Sequence, residues 1–297
     1  MDVDTRLLRY FRTVAEEGNL TRAAARLYVS QPALTKQIRQ LEDQLGATLF
    51  ERSKAGMALT GPGKALAEAV PKVVDAWDRA ERAVRAAAAE GSKVLRIGFL
   101  ASAANEKTQE IIAAFRALRP DWRVEMRQAS WGAPIEGLVV GEVEAAFMRV
   151  PFPSQEDFHV LPLLTEPRCV AMAVNHPLAQ QESLRFEELL DEPVVAAPGA
   201  AGAFRDHWIE AGARGDRPVK IGAVTEHPDD WLSAIANGDG IALAPESASR
   251  YYARPDIAYR QVEGIAPSTV ALAWPKAVSP TSALADFIAA SREAADA

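Results

Sequence analysis

Gln31, Thr35, Lys36 and Arg39 bring an amide, a hydroxyl and two cations into one short stretch, QPALTKQIRQLEDQL. Groups of these types hydrogen-bond base edges and neutralise phosphates. The chemistry they suit is recognition of duplex DNA, provided that they share one face of a helix. Leu34, Ile38, Leu41 and Leu45 recur at helical spacing and fall in one narrow stripe. With that stripe buried, Lys36 points directly away from the core, and Thr35 and Arg39 flank it. Ser30 can cap the helix by accepting from an otherwise unpaired backbone N–H, Pro32 fits the first turn, and Gly46 supplies the stop. A surface helix with a merely solvated charged face has the same periodicity, so the neighbouring elements must decide.

Upstream, Leu7, Phe11 and Val14 form an apolar stripe on a helix expected to begin near Asp4. Asn19 is suited to cap a middle helix whose Leu20, Ala23, Ala24 and Leu27 face inward. The small residues Ala23, Ala24 and Ala25 permit the close crossing that a helix-turn-helix needs. Three short helices before residue 50 fit that motif.

The run AARLYVSQPALTKQIRQLE, within a longer match from Leu7 to Arg52, resembles the N-terminal signature of LysR-type transcriptional regulators. The resemblance implies a winged helix-turn-helix. It places Arg22, Ser30, Gln31, Pro32, Thr35, Lys36 and Arg39 at the DNA, and makes FERSKAGMALT (50–60) the wing, with Arg52 and Lys54 near the phosphate backbone. One departure is GPGKAL at 61–66, where many relatives have a Pro followed by Ala-Gly. The extra glycine is expected to loosen the junction after the wing.

From Pro62 to Ala89 the sequence reads as one long helix interrupted by Pro71, which is expected to kink it. Leu66, Val70, Val73, Trp77, Ala80, Val84 and Ala87 alternate in spacings of four and three, a heptad seam. Such a helix spans about 40 Å, too long to hide against one small domain. It either packs on its own chain or pairs two subunits. The family resemblance supports pairing, as a homodimer or homotetramer, and hence an operator with two-fold character. Gly91, Ser92 and Lys93 mark the expected hinge.

Beyond the hinge, VLRIGFL (94–100), WRVEMRQ (122–128) and AAFMR (145–149) read as strands separated by helices, and RCVAMAV, PVVAA, KIGAV, GIALA and STVALAW continue the pattern before a final helix from about Thr281. Strands alternating with helices imply parallel βαβ units. LRIGFLAS, FRALRPDWRVE, GEVEAAFMR, HPLA, LLDEPVV and NGDGIALAPES resemble landmarks of the family's effector-binding region, which has the fold of a periplasmic binding protein. Ligands in open α/β sheets bind near strand carboxyl ends and helix N-termini. That points to Ser102, to Ser130 and Trp131, and to Arg149 after successive strands. By resemblance Phe204 and the Thr225-Glu226-His227 turn face the same cleft. Ser102 and Arg149 could hold a carboxylate, or Arg149 could simply pair with an acid at a strand end. Trp131 stands where relatives that bind small dicarboxylates tend to have a hydroxyl, so it should shrink or apolarise the pocket. Glu226 could instead select a cation, which leaves the sign of the ligand's charge open.

Composition bounds the alternatives. The 297 residues are 48% hydrophobic and 25% charged, as in an ordinary globular protein. The net charge is −7, but residues 1–66 carry ten Lys/Arg against seven Asp/Glu, a modestly basic head on an acidic body. Cys169 is the only cysteine, so no intrachain disulfide can form and a cytoplasmic location is favoured. No signal-like segment or run of about 18 apolar residues is present, which disfavours secretion and a membrane partner. His159, His176, His207 and His227 stand far apart and lack metal-ligand spacing. There is no G-x-S-x-G, P-loop or strand-following G-x-G-x-x-G, and Asn237–Gly240 precedes a strand and reads as a turn.

The expected architecture is therefore α/β with an all-α N-terminal head: a winged helix-turn-helix over 1–61, a dimerisation helix and hinge over 62–91, and a two-lobed effector-binding domain over 92–297. Its first lobe is expected at 92–164 plus 266–297, its second at 165–265. The expected function is sequence-specific transcriptional regulation controlled by a small-molecule effector, without enzyme activity or a cofactor. The expected partners are an operator duplex, the effector, further copies of the chain and RNA polymerase. The competing expectation is a solute-binding or enzymatic α/β domain with a degenerate head, which leaves residues 1–90 unexplained.

Overall fold

A computed structural model describes residues 4–27, 29–53, 56–104 and 106–296. The chain separates into two compact units, Met1–Ala83 and Val84–Ala297.

In the first unit, α1 (Thr5–Glu17) starts where the Asp4 carboxylate accepts from the Arg6 N–H at 2.8 Å, and ends at Gly18 in the left-handed region. Asn19 caps α2 (Leu20–Arg26), its Oδ1 accepting from the Thr21 and Arg22 N–H groups at 2.9 and 3.1 Å. Ser30 caps α3 (Gln31–Leu45), accepting from the Ala33 N–H at 3.4 Å, and Gly46 ends it at φ 64°. Leu7, Phe11 and Val14, Ala23 and Ala24, and Leu34, Ile38 and Leu41 meet in one core with Leu49 and Phe50. This is the packing that the three stripes predict.

The wing is the antiparallel hairpin of β1 (Phe50–Ser53) and β2 (Gly56–Leu59). Glu42 on α3 fixes its root, its Oε1 accepting from the N–H groups of Leu49 and Phe50 at 2.8 and 3.3 Å. The helix α4 (Gly61–Ser92) follows. Its Gly63 lies so close to the Leu49 carbonyl that a Cβ there would be 2.1 Å from the oxygen. The glycine-rich junction thus tightens the exit from the wing, contrary to the expected loosening. The helix runs without a break through Pro71 and past Gly91, and gives way at Lys93 with φ 52°.

The second unit continues with β3 (Val94–Phe99), α5 (Glu106–Leu118), β4 (Arg123–Gln128), α6 (Glu136–Val139), β5 (Ala145–Val150), β6 (Phe158–Glu166) and β7 (Arg168–Ala173). Then come β8 (Ser183–Arg185), β9 (Val194–Ala196), α7 (Ala203–Trp208), β10 (Ile221–Val224), α8 (Pro228–Asn237), β11 (Ala242–Pro245), α9 (Ala248–Tyr251), β12 (Ile257–Glu263), β13 (Ser268–Pro275) and α10 (Ser282–Asp296). A five-stranded sheet has the order β4-β3-β5-β13-β6, a four-stranded sheet the order β11-β7-β12-β8, and β10 pairs with β9. Phe115, Phe147 and Phe287 centre the core of the first sheet, under α5 and α10. No helix among the described residues is long and apolar enough to cross a membrane.

The sheets are mixed rather than purely parallel. β3 runs parallel to β4 and β5, as βαβ units require, but β13 is antiparallel to β5 and β6, and β7 is antiparallel to β11 and β12. β6 was not anticipated because Pro162 lies inside it. It tolerates that proline as an edge strand, with a register shift between Val270 and Ala271 opposite. β6 and β13 carry the chain out of the first sheet and back, and their paired ends, Glu166 and Ser268, lie side by side at the crossover.

Candidate functional site

On the head, burial of Leu34, Ile38 and Leu41 turns Gln31, Pro32, Lys36 and Arg39 outward, with Thr35 half-buried between them. The Gln31 side-chain amide donates to the Thr35 hydroxyl at 3.2 Å, and that hydroxyl donates to the backbone carbonyl of Gln31 at 2.9 Å. Lys36 and Arg39 have no ion-pair partner among the described residues, so their charges face solvent uncompensated. Arg22 differs. Its guanidinium donates to the Glu17 carbonyl and lies 3.4 Å from the Glu17 carboxylate, so it is spent on the end of α1. Ser30 serves as the cap. Arg52 is on β1 in register with Met57, while Lys54 lies outside the described residues.

The heptad seam divides. Val70 is 1% exposed and, with Val74 and the half-buried Leu66, completes the core of the head. Leu66 and Val70 are thus consumed within the chain, a correction to their expected place on a dimer seam. The reason is geometric: Val70 and Val74 lie one turn apart on the face that the head covers, whereas Val73 and Trp77 lie beside it. Val73, Trp77 and Val84 are 48%, 51% and 70% exposed, and Ala80 and Ala87 are exposed as well. The unpartnered seam therefore begins at Val73.

In the second unit a small cavity of about 60 Å³ opens between the two sheets. Ser102 and Trp131 line it from the side of the first sheet. Phe204, Trp208, Trp231 and Tyr252 line it from the other side, with Val195–Ala197, Pro228, Leu243–Pro245 and Ala248. The Trp131 and Trp231 rings meet edge to face across it, 6.2 Å apart at 90°. At its rim the Ser130 hydroxyl donates to the Glu226 carboxylate at 2.9 Å, and the Trp131 N–H donates to the Glu226 carbonyl at 3.1 Å. Ser130 and Glu226, expected to contact ligand, instead latch the two sides together. Thr225 is buried and its hydroxyl has no hydrogen-bond partner among the described residues.

Arg149 is the principal correction. It is 0% exposed and does not line the cavity. Its Nη2 donates to Glu166 at 2.7 Å, its Nε donates to the Ser102 carbonyl at 3.1 Å, and its Nη1 donates to Ser268 at 3.2 Å. Glu166 also accepts from the N–H and hydroxyl of Ser247, at 2.7 and 3.0 Å. Burial draws the guanidinium below its ordinary value, and Glu166 opposes that shift. Of the two readings that the sequence left open, the structure bears out pairing with an acid. The pair pins the crossover, because Glu166 and Ser268 end the strands that join the lobes. Arg168 does the same nearby, donating to the carbonyls of Ala266 at 2.7 Å and His207 at 3.1 Å and pairing with Glu210.

The sequence reading missed Trp208, Trp231 and Tyr252. Trp231 sits in the first turn of α8 and Trp208 at the end of α7. Aromatics at such positions look the same whether they face a core or a cavity, so no local signal marks them. Cys169, under the cavity wall, donates to the Pro245 carbonyl at 3.3 Å, and burial pushes its thiol up to about 12.

A helix-turn-helix head and a two-lobed body with a cavity between its sheets have the architecture of a ligand-responsive DNA-binding regulator. Comparison with known proteins agrees. Residues 5–64 match the profile of the bacterial regulatory helix-turn-helix proteins of the lysR family, and residues 88–296 match the LysR substrate binding domain. The chain is 30% identical to the Hca operon transcriptional activator HcaR of Escherichia coli over 298 aligned positions, 98% of each chain. It is 30% identical to the transcriptional regulator AlsR of Bacillus subtilis, covering 89% of this chain and 87% of that one. Full-length CbnR in complex with its target DNA is similar in structure, with a TM-score of 0.53 and 25% identity over 99% of this chain and 100% of that one. The chain belongs to the LysR family of DNA-binding transcriptional regulators.

Proposed function

We propose that the outer face of α3 reads the operator, with Gln31 and Thr35 toward base edges and Lys36 and Arg39 toward phosphates or guanine. The observation that carries this is the pair of uncompensated cations, Lys36 and Arg39, on a helix whose opposite face is locked into the core. The similar CbnR, solved on its target DNA, supports a duplex as partner. A degenerate head should have lost its caps or its core, and the formed caps at Asp4, Asn19 and Ser30 speak against one.

The domain division proposed is head, 1–61; linker helix and hinge, 62–91; and effector domain, 92–297, with lobes at 92–164 plus 266–297 and at 165–265. The exposed seam from Val73 pairs two copies, as a dimer or a tetramer built from dimers. An effector in the interlobe cavity shifts the population of lobe geometries and so the spacing of the heads. RNA polymerase is the further partner, the cytoplasm the location, and regulation without catalysis the role.

Substitution of the α3 face tests the reading. Lys36→Ala, in a phosphate contact, weakens binding alike on all sequences and lowers the slope of log K against log salt by about one. Relaxed preference at a single base pair would make Lys36 a base reader. No effect of Lys36→Ala and Arg39→Ala together would remove α3 from the interface.

A further inference from the structure

We infer that the interlobe cavity takes an uncharged, flat, apolar molecule of aromatic type, in preference to an organic anion or cation. The inference rests on the reading of this cavity as the effector site, and it names the ligand class.

The lining settles the charge. None of the described residues that line the cavity carries a charged side chain. Arg149 is enclosed behind Ser102 and already neutralised by Glu166, and Arg168, 5.9 Å from the Trp208 ring, is paired with Glu210. Glu226, at the rim, accepts from Ser130. An ionised ligand would shed its water here and find no opposite charge, an uncompensated loss of solvation.

One titratable group of the wall, Tyr252, and one beside it, His207, report the same desolvating environment from both directions. Burial pushes the Tyr252 phenol up to about 12, in spite of the opposing influence of Arg149, so negative charge is disfavoured. Burial first, and Arg168 second, push the His207 imidazole, 5.2 Å from the Trp208 ring, down to about 4, so positive charge is disfavoured as well.

The shape selects a flat ring. The perpendicular Trp131 and Trp231 indoles form a corner that offers one aromatic face and one edge, and a third ring meets both in favourable stacked and edge-to-face geometries. Phe204 and Trp208, 6.3 Å apart at 65°, form a second such corner. The free volume is small, about 60 Å³, so the ligand is one flat ring system held closely by these walls. Neutral polarity is provided for: the side-chain hydroxyls of Ser102 and Tyr252 have no hydrogen-bond partner among the described residues, and either can meet a hydroxyl or carbonyl on the ligand.

The test uses three probes that share one ring system and differ in charge: 2-naphthol, 2-naphthoate and 2-naphthylmethylammonium. Each is titrated calorimetrically into the full-length protein at neutral pH and moderate salt. The expected result is one-to-one binding of 2-naphthol at least tenfold tighter than either ion. That binding should weaken tenfold or more in Trp131→Ala, which removes a half-buried wall, and in Ser102→Leu, which fills the space. Thermal unfolding of both variants confirms that they are folded. If an ion binds as tightly as 2-naphthol and is lost in the variants, the ligand class is overturned while the site stands. If no probe binds at millimolar concentration, or binding ignores both variants, the cavity is not the effector site and the inference falls with it.

Discussion

Replacing Arg149 by Met removes a guanidinium that is 0% exposed while keeping much of its volume. Four acceptors lose a donor at once: Glu166, the Ser102 carbonyl and the hydroxyls of Ser268 and Ser247. Glu166 keeps its contacts with Ser247 but becomes a buried carboxylate without a counter-ion. Breaking a buried pair by removing one partner costs about 3–5 kcal/mol. With a urea slope of about 2 kcal/mol/M, the unfolding midpoint should fall by roughly 1.5–2.5 M. Tryptophan fluorescence is a suitable signal, because Trp77 alone of the six tryptophans lies in the first unit. The double variant Arg149→Met/Glu166→Gln, which removes both charges, should recover more than half of the loss. A cost below about 1 kcal/mol for the single variant, the range of an exposed pair, would refute the crossover role. Lost ligand response with unchanged stability would restore Arg149 to the binding site.

Three further outcomes are expected. Trp77→Glu should shift sedimentation from dimer toward monomer without unfolding the head, whereas Val70→Ala should cost about 2 kcal/mol of head stability; a reversal of the two would return Val70 to the seam. Cys169 should resist the thiol reagent DTNB at pH 8 in the native protein and react only in denaturant, and rapid native reaction would contradict its burial. His207 titrates near 4 when folded against 6.5 ordinarily, so the folded protein binds fewer protons between those values. Its contribution to stability is present above about 6.5 and is lost as the pH falls toward 4, and His207→Gln should flatten that slope in urea melts across the window.

The head was nearly all legible in the sequence because its signals are local. Asp4, Asn19, Ser30 and Gly46 act within one turn of themselves, and the stripe of Leu34, Ile38 and Leu41 needs only helical spacing. The allotment of Val70 to the core was not legible, since the heptad count does not say which neighbour arrives first. In the body, β3, β5 and β7 were evident as apolar runs, but β6 was hidden by a proline that only its edge position excuses. Ser102, Trp131 and Phe204 were placed at the cavity, whereas Ser130, Glu226 and Arg149 were assigned to ligand and proved to hold each other or the crossover. Residue type and strand order locate a cleft, but long-range partners such as Glu166 decide whether a charge inside it is free.

The central claim, that this chain recognises DNA sequence through its head, is tested most directly by fluorescence anisotropy. The full-length protein is titrated onto DNA from upstream of its own coding region and onto a scrambled duplex at the same salt. The account predicts a clear preference for the native fragment, by tenfold or more, that is lost in the Lys36→Ala/Arg39→Ala variant. Equal affinity for both duplexes at every moderate salt concentration, with the variant indistinguishable from the parent, would contradict it.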